Sequence, residues 1–151
     1  KLVVRVTKLF NFEMAHALLG YDGPCRNIHG HSYRLEITVA GIPNTEIGNP
    51  KLGMVIDFGQ LKSIINDAVL SYFDHATVLN ERTGIDSFPD LNKFFGNLRL
   101  VPYQPTCENL LIDIRERVLS GLPDNISLVA TRLYETATAF AEIIEKDFSN
   151  G

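Results

Sequence analysis

Three of the chain's four histidines, His16, His29 and His31, fall within one sixteen-residue stretch. In His29-Gly30-His31 the imidazoles are separated by one residue, and on an extended segment residues i and i+2 project to the same face. Gly30 between them adds no bulk. His16 ends the segment Phe12-Glu13-Met14-Ala15-His16 and supplies a third nitrogen if that segment lies beside the second. Three neutral histidines with an open fourth position describe a catalytic zinc site rather than a structural one. Imidazole also suits iron, nickel and copper, so the donor set prefers zinc without requiring it. A lone histidine is better read as a surface or hydrogen-bonding residue; this spacing favours a metal.

Cys25 precedes His29 by four residues. It has three readings: a fourth metal ligand, an acid/base thiol whose pKa a nearby cation lowers, or an inert buried residue. Asp74-His75 offers a carboxylate that could orient an imidazole for proton transfer, against the alternative that two adjacent side chains point apart at a helix end. Glu135, in Tyr134-Glu135-Thr136, could accept paired N–H donors of a heterocycle, much as carboxylate matches guanidinium. Its ordinary alternative is an exposed surface carboxylate.

The elements that must position these groups follow from periodicity. Residues 1–13 favour a strand. A second runs from about His31 to Ala40, with Tyr33, Leu35, Ile37 and Val39 on one face and Arg34, Glu36 and Thr38 on the other. A turn-rich connection over 41–50 leads to a short strand expected at Gly53–Ile56. Asp57 reads as the cap of a helix through Leu61, Ile64, Ile65, Ala68, Val69 and Tyr72. Residues 81–104, with Gly84, Pro89, Gly96 and Pro102, read as a long irregular excursion. A second helix starts at Pro105–Thr106 and stops at Gly121. Segments 126–134 and 137–145 close as a hairpin. The sum is an α+β layer, an antiparallel β-sheet with two helices packed on one face.

Composition bounds the function. The 151 residues carry 14 Lys and Arg against 18 Asp and Glu, a net charge of −4, which argues against a general nucleic-acid binder. No apolar run approaches the roughly 20 residues of a membrane span. Hydrophobic residues at 45% rule out a disordered chain, and two cysteines are too few for a disulfide scaffold. The expectation is one reduced, cytoplasmic domain over residues 1–151, with no membrane partner.

Taken together, Phe12-x-x-Ala15-His16, Cys25-x-x-x-His29-Gly30-His31, Val55-x-Asp57-Phe58, Asp74-His75-x-x-x-Leu79-Asn80, Pro105-Thr106-x-Glu108-Asn109 and Glu135-Thr136 resemble the 6-pyruvoyltetrahydropterin synthase / 6-carboxytetrahydropterin synthase family. The resemblance implies a tunnelling fold (T-fold), in which sheets from several subunits close into an oligomeric β-barrel. It implies a homo-oligomer, a hexamer built as a dimer of trimers, with active sites between subunits. It implies that His16, His29 and His31 bind Zn2+, and that Cys25, Asp74 and His75 are catalytic. Glu135 would then anchor the pterin ring through its 2-amino and N3 positions, with Thr106 and Glu108 lining the pocket.

The substrate implied is a small pterin triphosphate, 7,8-dihydroneopterin triphosphate. The carboxy branch, which releases acetaldehyde and feeds queuosine and 7-deazaguanine synthesis, is preferred for its compact Cys25-to-His29 link. The alternatives are the pyruvoyl branch, which eliminates triphosphate without acetaldehyde; a non-catalytic metal- or pterin-binding homologue; and an unrelated three-histidine hydrolase. Lys51, Arg26, Arg82 and Arg99 are candidate cations for the triphosphate. Cys107 is expected to be a buried apolar thiol.

Overall fold

The computed structural model describes residues 1–84 and 90–148. Residues 85–89, the part of the 81–104 excursion that contains Pro89, lie outside them.

Two long strands form the centre. β1 (Val4–His16) and β2 (His29–Gly41) pair antiparallel from Val4 opposite Gly41 to His16 opposite His29. Alternation dictates their faces. Phe10, Phe12 and Met14 of β1 and Tyr33, Leu35, Ile37 and Val39 of β2 are buried on one side, while Glu13, Ser32 and Arg34 lie opposite. His16, His29 and His31 continue the buried stripe to the end of the sheet. Burying each large apolar side chain of that stripe is worth roughly 1.5–3 kcal/mol.

Asp57 caps α1 (Phe58–Ile65) by accepting from the Gly59 N–H at 2.8 Å. The helix runs on through a wider π-type turn, Asn66–Leu70, and a last turn, Ser71–Phe73. Leu61, Ile65, Val69 and Phe73 are all fully buried. A four-residue spacing drifts around a regular α-helix, and the wider turn offsets that drift.

Two parallel strands follow that periodicity did not anticipate. β3 (Ala76–Asn80) pairs with the end of β1, and β4 (Leu98–Val101) pairs with β3. A short helix, α2 (Leu91–Phe94), lies between them. Parallel partners need a crossover and leave no local alternation to read, so the described residues of 81–104 carry more regular structure than the sequence suggested. The strand expected at Gly53–Ile56 is instead a series of turns, tied down by Asn44 N–H to Met54 O and Gly53 N–H to Asn44 O.

Thr106 caps α3 (Cys107–Gly121), accepting from the Asn109 N–H at 3.2 Å. Leu110, Leu111, Ile114 and Val118 seat this helix on the same core. β5 (Ser127–Thr136) and β6 (Ala139–Ile144) complete a six-stranded sheet in the order β4-β3-β1-β2-β5-β6. The expected antiparallel sheet is the β1-β2-β5-β6 part, extended in parallel by β3 and β4. Arg115 of α3 makes a two-pronged bond to Glu145, just beyond β6, at 2.6 and 2.8 Å. No helix among the described residues is long and apolar enough to cross a membrane.

Candidate functional site

The buried stripe ends in three imidazoles. One ring nitrogen from each of His16, His29 and His31 lies within 4.8 Å of the others. His16 and His29 face each other across β1 and β2, and β2 alternation adds His31.

The outer ring nitrogens decide what the inner ones offer. His16 Nδ1 is 2.7 Å from Pro105 O, and His29 Nδ1 is 2.7 Å from Asn27 O. A carbonyl only accepts, so each Nδ1 carries the proton and each Nε2 presents a bare lone pair. Those two Nε2 atoms stand 3.1 Å apart. Two lone pairs at that distance repel unless a cation lies between them. Tetrahedral zinc with bonds of 2.0–2.1 Å spaces its nitrogens about 3.3 Å apart. Second partners that fix the tautomer are what metal-binding histidines ordinarily have.

Burial holds the His16 imidazole below its usual pKa, although the Pro105 bond and Glu135 pull the other way. The neutral form, the one a metal requires, is therefore favoured. The donor set fits a divalent ion with one position left open.

Glu135 occupies a bulge. Tyr134 pairs with Phe140 and Thr136 with Ala139, which leaves Glu135 as the extra residue of β5. Its Oε1 lies 3.6 Å from His16 Nε2 and 3.7 Å from His31 Nε2. A carboxylate so placed lowers the cost of a dication among three neutral rings.

Beside His16 a cavity of about 330 Å³ opens, lined by Leu18, Tyr21, Cys25, Thr106, Cys107, Glu108, Glu135, Ala139, Phe140 and Ala141. Cys25 is half-buried on its wall, in a short turn over Pro24–Arg26, and stands outside the three-histidine group. Thr106 and Glu108 reach the cavity because it sits at the start of α3. Seven of the residues expected at the site (His16, Cys25, Thr106, Glu108, Glu135 and, through His16, His29 and His31) are thus gathered at one end of the sheet.

Asp74 and His75 are elsewhere. His75 borders a second cavity of about 370 Å³ that reaches His31 from the other side, along Glu13, Ser32 and Thr77. His75 Nδ1 donates to Asp74 Oδ1 at 2.9 Å, with His75 77% exposed. Asp74 Oδ1 also accepts from the Glu13 N–H at 3.0 Å, and the His75 N–H donates to Glu13 O at 2.6 Å. Among the described residues His75 is the sole non-glycine at positive φ, +60°. That conformation is strained, and the Glu13 clamp holds it. Cys25 and His75 therefore line different cavities of the same chain.

Sequence reasoning missed several supporting groups. Gln104 accepts from the Leu19 N–H at 3.1 Å and donates to Leu19 O at 2.8 Å, stitching the Cys25 segment to the approach of α3. Nothing in the local sequence marks it. Pro105 and Asn27 act through backbone carbonyls, which residue type does not reveal. Cys107 is half-buried rather than buried. It donates to Leu133 O at 3.3 Å, and burial with the Glu135 charge pushes its thiol up to about 11. Burial, then the Glu135 charge, likewise pushes the Tyr33 phenol up. Of the four cations named above, Lys51 is paired with Asp57 and Arg99 lies over Tyr72, while Arg26 adjoins Cys25.

The family model described as 6-pyruvoyl tetrahydropterin synthase matches residues 5–146. A Haemophilus influenzae protein named 6-carboxy-5,6,7,8-tetrahydropterin synthase is 36% identical over 147 residues, covering 93% of this chain and 99% of the relative. A Rickettsia typhi protein of the same name is 29% identical over 144 residues, covering 93% and 100%. The solved structure of Caenorhabditis elegans 6-pyruvoyl tetrahydropterin synthase superposes with a TM-score of 0.69 at 22% identity, covering 95% of this chain and 96% of that one. At that identity the likeness speaks to the fold.

Proposed function

The chain belongs to the 6-pyruvoyl tetrahydropterin synthase family, and on that premise we propose that it is a cytoplasmic, zinc-dependent 6-carboxy-5,6,7,8-tetrahydropterin synthase. It converts 7,8-dihydroneopterin triphosphate and one water to 6-carboxytetrahydropterin, acetaldehyde and triphosphate, in the route to queuosine and 7-deazaguanines. The observation that carries this reading is the pair of Nε2 lone pairs turned on one point at 3.1 Å by the Pro105 and Asn27 carbonyls. The names of the relatives favour the carboxy over the pyruvoyl product.

Zinc held by His16, His29 and His31 would supply Lewis-acid polarisation of the substrate's side-chain oxygens. Glu135 accepts the 2-amino and N3 hydrogens of the pterin and fixes its plane, while Thr106 and Glu108 line the ring. Cys25 removes or returns the proton at the substrate side chain. His75, its Nδ1 held by Asp74, moves the other proton at Nε2.

Residues 1–151 form one tunnelling-fold domain, and the working site lies between subunits of a hexamer made of two trimers. The separation of His75 from Cys25 supports this, since a second copy must bring Asp74 and His75 to the thiol. So does β6, an edge strand with Phe140 and Ile144 about half exposed.

The test is product analysis. Zinc-loaded protein is incubated with dihydroneopterin triphosphate, followed by mass spectrometry and an acetaldehyde assay. Acetaldehyde with 6-carboxytetrahydropterin is expected. A pyruvoyl product without acetaldehyde would move the chain to the other branch. No turnover with metal bound would leave a binding protein.

A further inference from the structure

Tyr33 carries a hydroxyl that nothing among the described residues answers. The side chain is 1% exposed, and its Oη is one of two buried side-chain oxygens without a hydrogen-bond partner among the described residues. A buried hydroxyl left unpaired costs stability that a phenylalanine of the same shape would not. The stripe it belongs to, with Phe12 and Leu35 as neighbours, has no packing need for an oxygen there.

Its position indicates what the oxygen can serve. The ring stacks on Phe12 at 5.0 Å and stands edge-on to His16 at 6.3 Å and His31 at 5.6 Å. The β2–β5 register pairs Leu35 with Leu133 and Arg34 with Tyr134, and Tyr33 and Glu135 are the next residues beyond that last pair. Glu135 is 29% exposed and borders the Cys25 cavity, whereas Tyr33 is buried and does not line it. An ionised carboxylate has about four acceptor sites. A heterocycle presenting two N–H groups takes two of them and leaves others for a donor on the protein side.

We propose that the Tyr33 hydroxyl is a positioning residue for Glu135, donating to its carboxylate when a heterocycle with paired N–H donors fills the cavity and standing unpartnered when the cavity is empty. This rests on the reading of Glu135 as the pterin anchor. Thr131 provides an internal control. Its Oγ1 is the other orphaned oxygen, fully buried on the same face of β5. It lies four residues from Glu135, about 13 Å along a strand.

The experiment compares Tyr33→Phe, Thr131→Val and Glu135→Ala with the parent chain, all zinc-loaded. Thermal midpoints, metal content, neopterin affinity and steady-state kinetics are measured. Both hydroxyl deletions should melt at or above the parent. Tyr33→Phe alone should weaken neopterin about tenfold, 1.4 kcal/mol, with metal content unchanged and KM rising more than kcat falls. Unchanged neopterin affinity in Tyr33→Phe, beside its loss in Glu135→Ala, overturns the role of Tyr33 alone. Equal weakening in Thr131→Val overturns it too, since the effect would then be general to the core. Full affinity in Glu135→Ala overturns the anchor reading beneath it.

Discussion

The two polar corners of the sheet lie on either side of the last residues of β1, and they are built in opposite ways. In the histidine corner His16 is buried, the His16 and His29 rings are locked by carbonyls from two separate segments, and their lone pairs already converge. The Asp74–His75 corner is open. Its imidazole is 77% exposed, bonded to a single side chain, and held on a strained backbone by Glu13. Binding a cation needs donors fixed in advance, and one chain supplies them all. The proposed proton transfer would need the imidazole brought against the Cys25 thiol, and that thiol lies on another wall.

The sharpest test of that contrast has the largest expected effect. Cys25→Ala and His75→Ala should each lower kcat about 10²–10⁴-fold, the usual worth of a positioned acid or base. If the two act across subunits, a co-refolded mixture of the inactive variants regains turnover that neither shows alone. A mixture that stays dead would place both groups in one subunit's site.

Metal affinity separates the corners next. His29→Ala should weaken zinc binding by more than about 100-fold, beyond the 10–100-fold typical of losing an outer partner. His75→Ala should leave it within about twofold. Competition with a chromophoric chelator reads both, and a large loss in His75→Ala would break the distinction.

A pH effect follows for metal-free protein. Burial holds the folded His16 below the usual 6.5, so on acidification the unfolded chain takes up its proton first. Stability from this group is full above pH 6.5 and is lost as pH falls below it. Urea midpoints at pH 7.5 and 5.5 should show the drop, and His16→Gln should shrink it. An equal drop in the variant would assign it to other groups.

The smallest effect belongs to Asp74→Asn. An exposed side-chain contact such as His75 to Asp74 contributes about 1 kcal/mol or less, so the thermal midpoint should barely move while turnover falls. A large loss of stability would mean that the corner is a structural brace instead.

Much of the histidine corner was legible because one rule covers it. The alternation that buries Tyr33, Leu35 and Ile37 also aligns His29 with His31, and the β1–β2 pairing brings His16 opposite. The caps Asp57 and Thr106 were equally local signals. What local pattern could not carry was pairing between distant segments. β3 and β4 add in parallel, so nothing near Ala76 or Leu98 announces a partner. The bulge that turns Glu135 toward His16 and His31 depends on the register with β6, and Gln104 shows its use only once Leu19 is beside it. The motif around Asp74 and His75 named the residues without revealing that they face away from Cys25.

The pairing of His16 with His29 has one more consequence. These residues are the two ends of the segment 17–28, and Cys25 lies inside it. The strand pairing already sets the two ends opposite each other, and an ion shared by the two rings would pin them there against fraying. The mobility of the thiol would thereby follow metal occupancy, through a loop only a dozen or so residues long. Proteolysis within 17–28 should accelerate on chelation, well before the strands themselves come apart.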